Sequence, residues 1–157
     1  ATACKEIQGS RIPDLYGSIN NTFKYKGFDL SIFFQWSYGN DVLNANRLFF
    51  ENVNNSRNLN QYATYADRWT PENPTSNIPV AKNSSSNKVV SSRVIEDGSF
   101  LRLKNLEIGY KIPYGRIYVS GANLLRFSPF DLWDPELSSW NSYPLQRTVN
   151  VGLQLNF

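Results

Sequence analysis

The chain has 157 residues, a formal net charge of +3, no histidine and no methionine, and aromatic residues make up 15% of it. Its basic residues are scattered, so no nucleic-acid partner is predicted. Cys4 is the one cysteine, which leaves no partner for an intrachain disulfide, and it is expected to be a free thiol. Without histidine, the Ser-His-Asp, Cys-His and histidine–metal sites are closed, and the sequence predicts no enzyme, no metal site and no cofactor.

The first 38 residues predict an irregular lead-in followed by a β-hairpin. Residues 1–14 show no regular pattern, whereas 15–25 and 28–38 alternate apolar and polar side chains over 11 residues each. Lys26-Gly27 joins the two strands, and glycine permits the positive φ of a two-residue turn. A tilted strand needs roughly 9–11 residues to cross a membrane, while strands of soluble domains more often have about 5–6.

The length of the turn fixes a register that tests this pairing. With two residues in the turn, Tyr25 lies opposite Phe28, and Ile19 lies opposite Phe34. All of these residues belong to the apolar faces of their strands. The turn length and the two alternations therefore predict the same hairpin.

A long polar connection, residues 39–98, follows the hairpin. Residues 43–50 are predicted to form a short helix, and the stretch 83–87 consists of Asn and Ser alone. A structureless connection of this length is uncommon in a compact soluble domain, but it is ordinary on the outer side of a membrane barrel.

Three further strands are predicted at 99–112, 117–125 and 145–157. Within the first of them the apolar phase shifts near Lys104-Asn105, which indicates a β-bulge. A second long connection, residues 126–144, precedes the last strand. Together with the hairpin these strands predict an all-β chain, in agreement with its many aromatic residues.

The four connections alternate in length: two residues, about sixty, about four and about twenty. Membrane barrels have this pattern, with short periplasmic turns and long outer loops. If Phe157 ends the last strand at the periplasmic side, both short turns fall on that side and both long loops fall outside. Five strands are too few to close a membrane barrel, so residues 15–157 are predicted to be part of a larger antiparallel transmembrane β-barrel. A small autonomous barrel would need additional strands.

Neither a transmembrane helix nor a signal peptide is visible in the sequence. No apolar run approaches the roughly 18 residues that a membrane-spanning helix requires. For a membrane barrel, the missing signal peptide is expected if the start of the protein is absent or processed.

Five collinear groups of residues carry a family resemblance: 25–31 with 38–41, 67–73, 96–106, 118–124, and 134–136 with 143–148. They resemble the SusC/RagA-type TonB-linked outer-membrane transporters of Bacteroidetes. The resemblance implies the C-terminal part of a barrel of about 22 strands, located in the Gram-negative outer membrane. It also implies an N-terminal plug, a drive from TonB and a SusD-like lipoprotein lid, and the import of oligosaccharides or peptides. The turn near Gly115 and the loop at 138–143 are shorter than this resemblance leads us to expect.

The predicted outer loops contain the candidate contacts with a ligand or a lid. These candidates are Trp69, Trp133, Trp140, Asp67 and Arg68. Aromatic rings stack on the apolar faces of sugars and bury area rigidly; the alternative is that the tryptophans pack the loops together.

Charged residues offer further possibilities in the same regions. Asp67 with Arg68, and Asp97 with Arg102, are expected either to line the lumen or to pair with each other. Asp134 and Glu136 are two residues apart and would face the same way on an extended chain.

Aromatic residues near the predicted strand ends indicate two membrane girdles. Trp36 and Tyr38 belong to the outer one, and the inner one comprises Tyr25, Phe28, Tyr110 and Phe157. By resemblance to outer-membrane proteins in general, Phe157 is also expected to be the signal for barrel assembly.

One rival interpretation belongs to another class of protein. A secreted all-β carbohydrate-binding module would use exposed Trp and Tyr residues in the same way. Such a module stays monodisperse in water, whereas five strands with a lipid-facing side do not.

Overall fold

The computed structural model describes residues 6–51, 60–81, 90–130, 134–137 and 142–156. Several residues named above lie outside this described part, namely Cys4, the stretch 83–87, Trp133, Trp140 and Phe157. The chain divides into two compact units, one of residues 1–10 and 41–96, the other of residues 11–40 and 97–157. Among the described residues, no helix has the length and apolar character needed to cross a membrane.

The described residues contain seven strands and one short α-helix. In chain order they are β1 (Leu15–Tyr25), β2 (Phe28–Tyr38), β3 (Asp41–Leu43), α1 (Ala45–Phe50), β4 (Ile95–Asp97), β5 (Phe100–Ile112), β6 (Gly115–Phe127) and β7 (Thr148–Leu155). The larger unit is a five-stranded sheet in the order β1-β2-β5-β6-β7, and every neighbouring pair is antiparallel. This is the all-β, antiparallel fold that the sequence predicts.

The first hairpin has the predicted bounds and the predicted register. Tyr25 pairs with Phe28, and Ile19 pairs with Phe34. In the turn, Lys26 has a φ of 45° and Gly27 a φ of 87°. A two-residue turn of this kind needs positive φ at both positions, because only then does its twist match that of the strands.

The bulge predicted in the third long strand is confirmed. Phe33 of β2 pairs with Asn105, but the next residue, Phe34, pairs with Leu103. Lys104 is therefore an extra residue on β5, and the alternation resumes in the opposite phase beyond it.

The last two strands differ in extent from the prediction. The turn between β5 and β6 contains only two residues, Pro113 and Tyr114, because Gly115 already pairs with Ile112. β6 therefore begins before the predicted residue 117 and continues past the predicted end at 125.

β7 begins at Thr148, opposite Ala122, and not at the predicted residue 145. The reason lies in β6, where Asn123 has a φ of 54° and interrupts the ladder. The carbonyl of Gln146 accepts a hydrogen bond from Asn123 Nδ2 at 3.1 Å and not from a strand backbone.

The smaller unit gives regular structure to part of the long connection 39–98. Strand β3 pairs with β4, and α1 follows β3, so the helix begins at Ala45 and not at the predicted residue 43. Two 3-10 helices cover Ala63–Asp67 and Ser92–Val94. The Glu51 carboxylate is buried and accepts hydrogen bonds from Arg93 Nη1 and Thr64 Oγ1, each at 2.8 Å, which ties separate parts of the connection together.

Candidate membrane face and loop anchor

One face of the five-stranded sheet is apolar from its first strand to its last. Five cross-strand rows form it: Tyr25, Phe28, Tyr110, Ile117 and Leu153; Phe23, Leu30, Ile108, Val119 and Val151; Asn21, Ile32, Leu106, Gly121 and Val149; Ile19, Phe34, Leu103 and Leu125; Gly17, Trp36, Leu101 and Phe127. Many of these side chains are open to the surroundings, with Val151 76% and Leu153 58% exposed. Proteins in water rarely expose a continuous apolar surface of this breadth, whereas lipid is its natural solvent.

The opposite face is mainly polar. Its rows are Lys24, Asp29, Gly109, Tyr118 and Gly152; Thr22, Ser31, Glu107, Ser120 and Asn150; Asn20, Phe33, Asn105, Ala122 and Thr148; Ser18, Gln35, Arg102 and Arg126. Strands with one apolar and one polar face are typical of a barrel wall between lipid and a wet interior.

Short and long connections lie at opposite ends of the strands. Each of the two margins of the sheet that the strand ends form is called an edge. Both short turns lie at one edge, called the turn edge below, where Lys111 N donates to Gly27 O at 2.8 Å and Asn156 N donates to Tyr114 O at 2.9 Å. Both long connections leave from the other edge, called the loop edge. The predicted alternation of short and long connections is therefore present in the sheet.

Aromatic residues lie near both edges, as the sequence predicts. At the turn edge Tyr25 pairs with Phe28, whose ring centroid is 4.6 Å from that of Tyr110. At the loop edge Tyr38 pairs with Leu15. Trp36 lies one row further in, and its indole covers the space that a side chain on its neighbour Gly17 would occupy.

The polar face carries an ion cluster near the turn edge that sequence reasoning missed. The Arg116 guanidinium pairs with the Asp29 carboxylate and donates to Glu107 Oε1 at 2.6 Å. It lies over Gly109, where a Cβ would collide with it, and 5.1 Å from the ring centroid of Tyr118. Since Asp29 and Arg116 are 87 residues apart in the chain, only the strand register brings them together.

A second ion cluster lies near the loop edge and excludes one of the two alternatives expected for Asp97 and Arg102, namely that they pair with each other. Arg102 does not pair with Asp97, whose Oδ1 instead accepts a hydrogen bond from Ser99 N at 2.8 Å. Arg102 Nη2 donates to Asp134 Oδ1 at 2.6 Å, and Arg102 Nε lies 2.9 Å from Glu136 Oε2. The two carboxylates that are two residues apart therefore do face the same way, and they converge on one arginine.

The candidate contact residues of the first long connection are near the surface. Trp69 is 40% exposed, and its backbone N–H donates to Ile78 O at 2.8 Å. The Arg68 guanidinium carbon is 5.5 Å from the ring centroid of Tyr65, and burial raises the pKa of that phenol. Asp67 supplies its backbone carbonyl to Asn73 Nδ2 at 3.0 Å. A role of these residues in binding stays a prediction.

In the part of the chain that the structure describes, no group of three or more His, Cys, Asp or Glu side chains is placed to hold a metal ion. The features that remain are an apolar outer face, a polar inner face, short turns at one edge and long connections at the other. They define a section of wall from an outer-membrane β-barrel.

Comparison with known proteins identifies the kind of barrel, although no family model matches the sequence. The TonB-dependent receptor P26 of Formosa agariphila is 37% identical over an alignment of 179 positions that covers 96% of this chain and 18% of that protein. The TonB-dependent receptor SusC of Bacteroides thetaiotaomicron is 25% identical over an alignment of 158 positions that covers 92% of this chain and 15% of SusC. A solved structure of the RagAB peptide transporter matches with a TM-score of 0.83 at 28% identity, covering 96% of this chain and 18% of that one.

The chain belongs to the TonB-dependent receptors of the SusC/RagA type, as the resemblance implies. It spans less than a fifth of the length of the relatives described above. Those relatives are named as receptors and a transporter, in agreement with the prediction that the chain is no enzyme.

Proposed function

We propose that this chain supplies wall strands and two outer loops to a TonB-dependent transporter of the outer membrane. The observation that carries the proposal is the apolar face, which is continuous over five strands, four of them 11 to 13 residues long. Such strands are long enough to cross a bilayer. The turn edge then faces the periplasm, and the two long connections face outward.

The intact transporter imports oligosaccharides or peptides and works with a SusD-like lipoprotein lid. A plug inside the barrel and a link to TonB complete it, and both would lie in parts of the protein beyond this chain. Support comes from the relatives: one bears the name SusC, and a structural neighbour is named a peptide transporter. Peptide transport is named for that other protein alone, and the oligosaccharide alternative rests on the family resemblance.

Loop residues are proposed to contact substrate or lid. Trp69 is exposed, and the guanidinium of Arg68, the residue before it, lies near the ring of Tyr65. Asp67, Trp133 and Trp140 belong to the same proposal on the strength of the sequence. An indole face at this position suits a sugar ring or a second protein surface.

The aromatic residues near the edges of the sheet are proposed to position the wall in the bilayer. Tyr25, Phe28 and Tyr110 form the periplasmic girdle, and Trp36 and Tyr38 the outer one. Phe157 would join the periplasmic girdle. The rings of Tyr and Trp, with an apolar body and a polar end, favour the interface between lipid and water, and Phe28 adds an apolar ring beside that of Tyr110.

The decisive experiment uses the full-length protein in a Gram-negative host. Fractionation should place it in the outer membrane, and it should require detergent to stay monodisperse. A deletion strain should then lose uptake of either labelled oligosaccharides or labelled peptides, which identifies the substrate class. A protein that is monodisperse in plain buffer and binds sugars would instead be the carbohydrate-binding module, and the transporter proposal would fail.

A further inference from the structure

We infer that residues 134–137 of the second outer connection are folded into the barrel lumen and held there by Arg102, which acts as a positioning residue for that loop. The inference rests on the proposed barrel, because the polar face of the sheet is the lumen only if the strands close into one. It adds a fixed narrowing of the passage near its outer end.

The position of Arg102 on the sheet sets the direction in which the loop folds. Its neighbours along β5, Leu101 and Leu103, belong to the apolar face, so the arginine points to the polar face. There it lies in a row with Gln35 and Arg126. Whatever Arg102 contacts must therefore lie over the polar face and not over the lipid side.

The contacts of Arg102 come from the loop. Asp134 and Arg102 are both nearly inaccessible, with 4% and 2% of their surface exposed. Their atoms Oδ1 and Nη2 are 2.6 Å apart, and Glu136 lies 2.9 Å away on the Nε side. Lys104 Nζ, 3.4 Å from Glu136 Oε1, adds a second cation, so two carboxylates face two cations. Charges removed from water to this extent remain there only while each keeps its partner.

The loop segment itself is a tight turn. Leu137 N donates to Asp134 O at 3.0 Å, and Glu136 N donates to Asp134 Oδ1 at 3.1 Å. Asp134 therefore organises the turn and binds the arginine with the same carboxylate. The turn is fixed internally by its own hydrogen bonds and fixed to the sheet by Arg102. We therefore expect it to be a permanent obstacle and not a lid that opens.

In the assembled barrel this segment would stand in the passage beside the wall. It would narrow the outer part of the lumen for any polar solute that moves along this face. Removing the charge of Arg102 should release the segment, because Asp134 and Glu136 would then repel each other in a buried place.

The test measures cysteine accessibility in the full-length transporter on whole cells. Three reporters are compared with the parent protein, each labelled by a maleimide that does not cross membranes. P135C probes the buried turn, Q35C probes the wall beneath it, and Y143C probes a position in the same loop that is 89% exposed. We expect Y143C to be labelled fastest. The labelling rates of P135C and Q35C should be lower than that of Y143C by about tenfold or more.

In the R102Q background, the labelling rates of P135C and Q35C should increase by about tenfold or more, while the labelling rate of Y143C stays unchanged. The matched control is R116Q, which makes the same change in the ion cluster at the turn edge and should leave all three rates as they were. Heat-modifiable mobility on gels checks that each barrel is assembled.

A second variant keeps the test decisive if R102Q does not assemble. D134N/E136Q neutralises the loop side of the cluster and should release the same two reporters. The inference is overturned if P135C reacts as fast as Y143C in the parent background, if neither variant speeds P135C, or if both variants lose the barrel altogether. If Y143C is not labelled on whole cells, the outer-membrane location of the protein is contradicted. That outcome tests the proposed function, whereas the rates of P135C and Q35C test the attachment of residues 134–137 to Arg102.

Discussion

An arginine in place of Ile32 should destabilise the intact barrel, because Ile32 lies near the middle of the apolar face. It pairs with Asn21 of β1 and with Leu106 of β5. Two matched variants lie on the same strand: Phe28→Arg on the same face at the turn edge, and Ser31→Arg on the polar face. If the apolar face meets lipid, the loss of stability should depend on how deep in the bilayer the new arginine lies and on which face of the sheet carries it.

The magnitudes follow from the geometry of β2. With a rise of about 3.4 Å per residue and a tilt of about 40°, each residue changes depth by about 2.6 Å. Ile32 is then about 10 Å from the level of Phe28, close to the middle of an apolar band about 25 Å tall. Arginine costs about 2–4 kcal/mol at the bilayer midplane and about 0–1 kcal/mol near the interface. Phe28→Arg also loses the ring contact with Tyr110, which adds about 0.5–1.5 kcal/mol.

The assay is the unfolding of the full-length protein by guanidinium in phospholipid vesicles, followed by gel mobility and fluorescence. Ile32→Arg should lower the free energy of unfolding by about 2–4 kcal/mol, and Ser31→Arg should change it least, because Ser31 lies on the polar face, where the arginine would stay in the wet interior. Equal losses from Ile32→Arg and Ser31→Arg, or a larger loss from Ser31→Arg, would refute the assignment of the apolar face to lipid.

Two further predictions concern backbone conformation. Lys26 holds a φ of 45° in the first turn, so Lys26→Asn should stabilise the barrel by about 0.5–1 kcal/mol in the same unfolding assay, since asparagine tolerates this region better; a loss of stability would contradict the turn geometry. Asn123 holds a φ of 54° in β6, so Asn123→Val should cost about 1–2 kcal/mol, while the control Asn123→Gly keeps the conformation and loses only the hydrogen bond to Gln146. Equal effects of the two changes at Asn123 would show that the backbone conformation is not what matters there.

The sequence was sufficient to predict the first hairpin. Alternation gives the face of each residue, and the two-residue turn at Lys26-Gly27 leaves one register that keeps both apolar faces together. The phase shift beside Lys104 was also visible, because an extra residue in a strand moves every later side chain to the other face. These are local signals, and local signals survive in a single sequence.

The ion clusters were not predictable in the same way. Arg116 and Asp29 meet across two intervening strand pairings, so their contact depends on several registers at once. Of the two alternatives for Asp97 and Arg102, pairing with each other is excluded, because Arg102 pairs with Asp134, which lies further along the chain. Sequence distance is a poor guide where a loop returns to its own sheet, and the spacing of Asp134 and Glu136 was the one signal that pointed to a shared cation.

The bulge at Lys104 and the attachment of residues 134–137 to the sheet are connected. Leu106 and Leu103 both lie on the apolar face although they are three residues apart, and this is possible only because Lys104 is extra. The extra residue itself, Lys104, is close enough to reach Glu136, with Nζ 3.4 Å from Oε1. A strand without the extra residue would still present Arg102 to the lumen, but it would lack the second cation that balances the second carboxylate. The irregularity in the strand thus supplies the charge that a loop with two carboxylates needs before it can be buried.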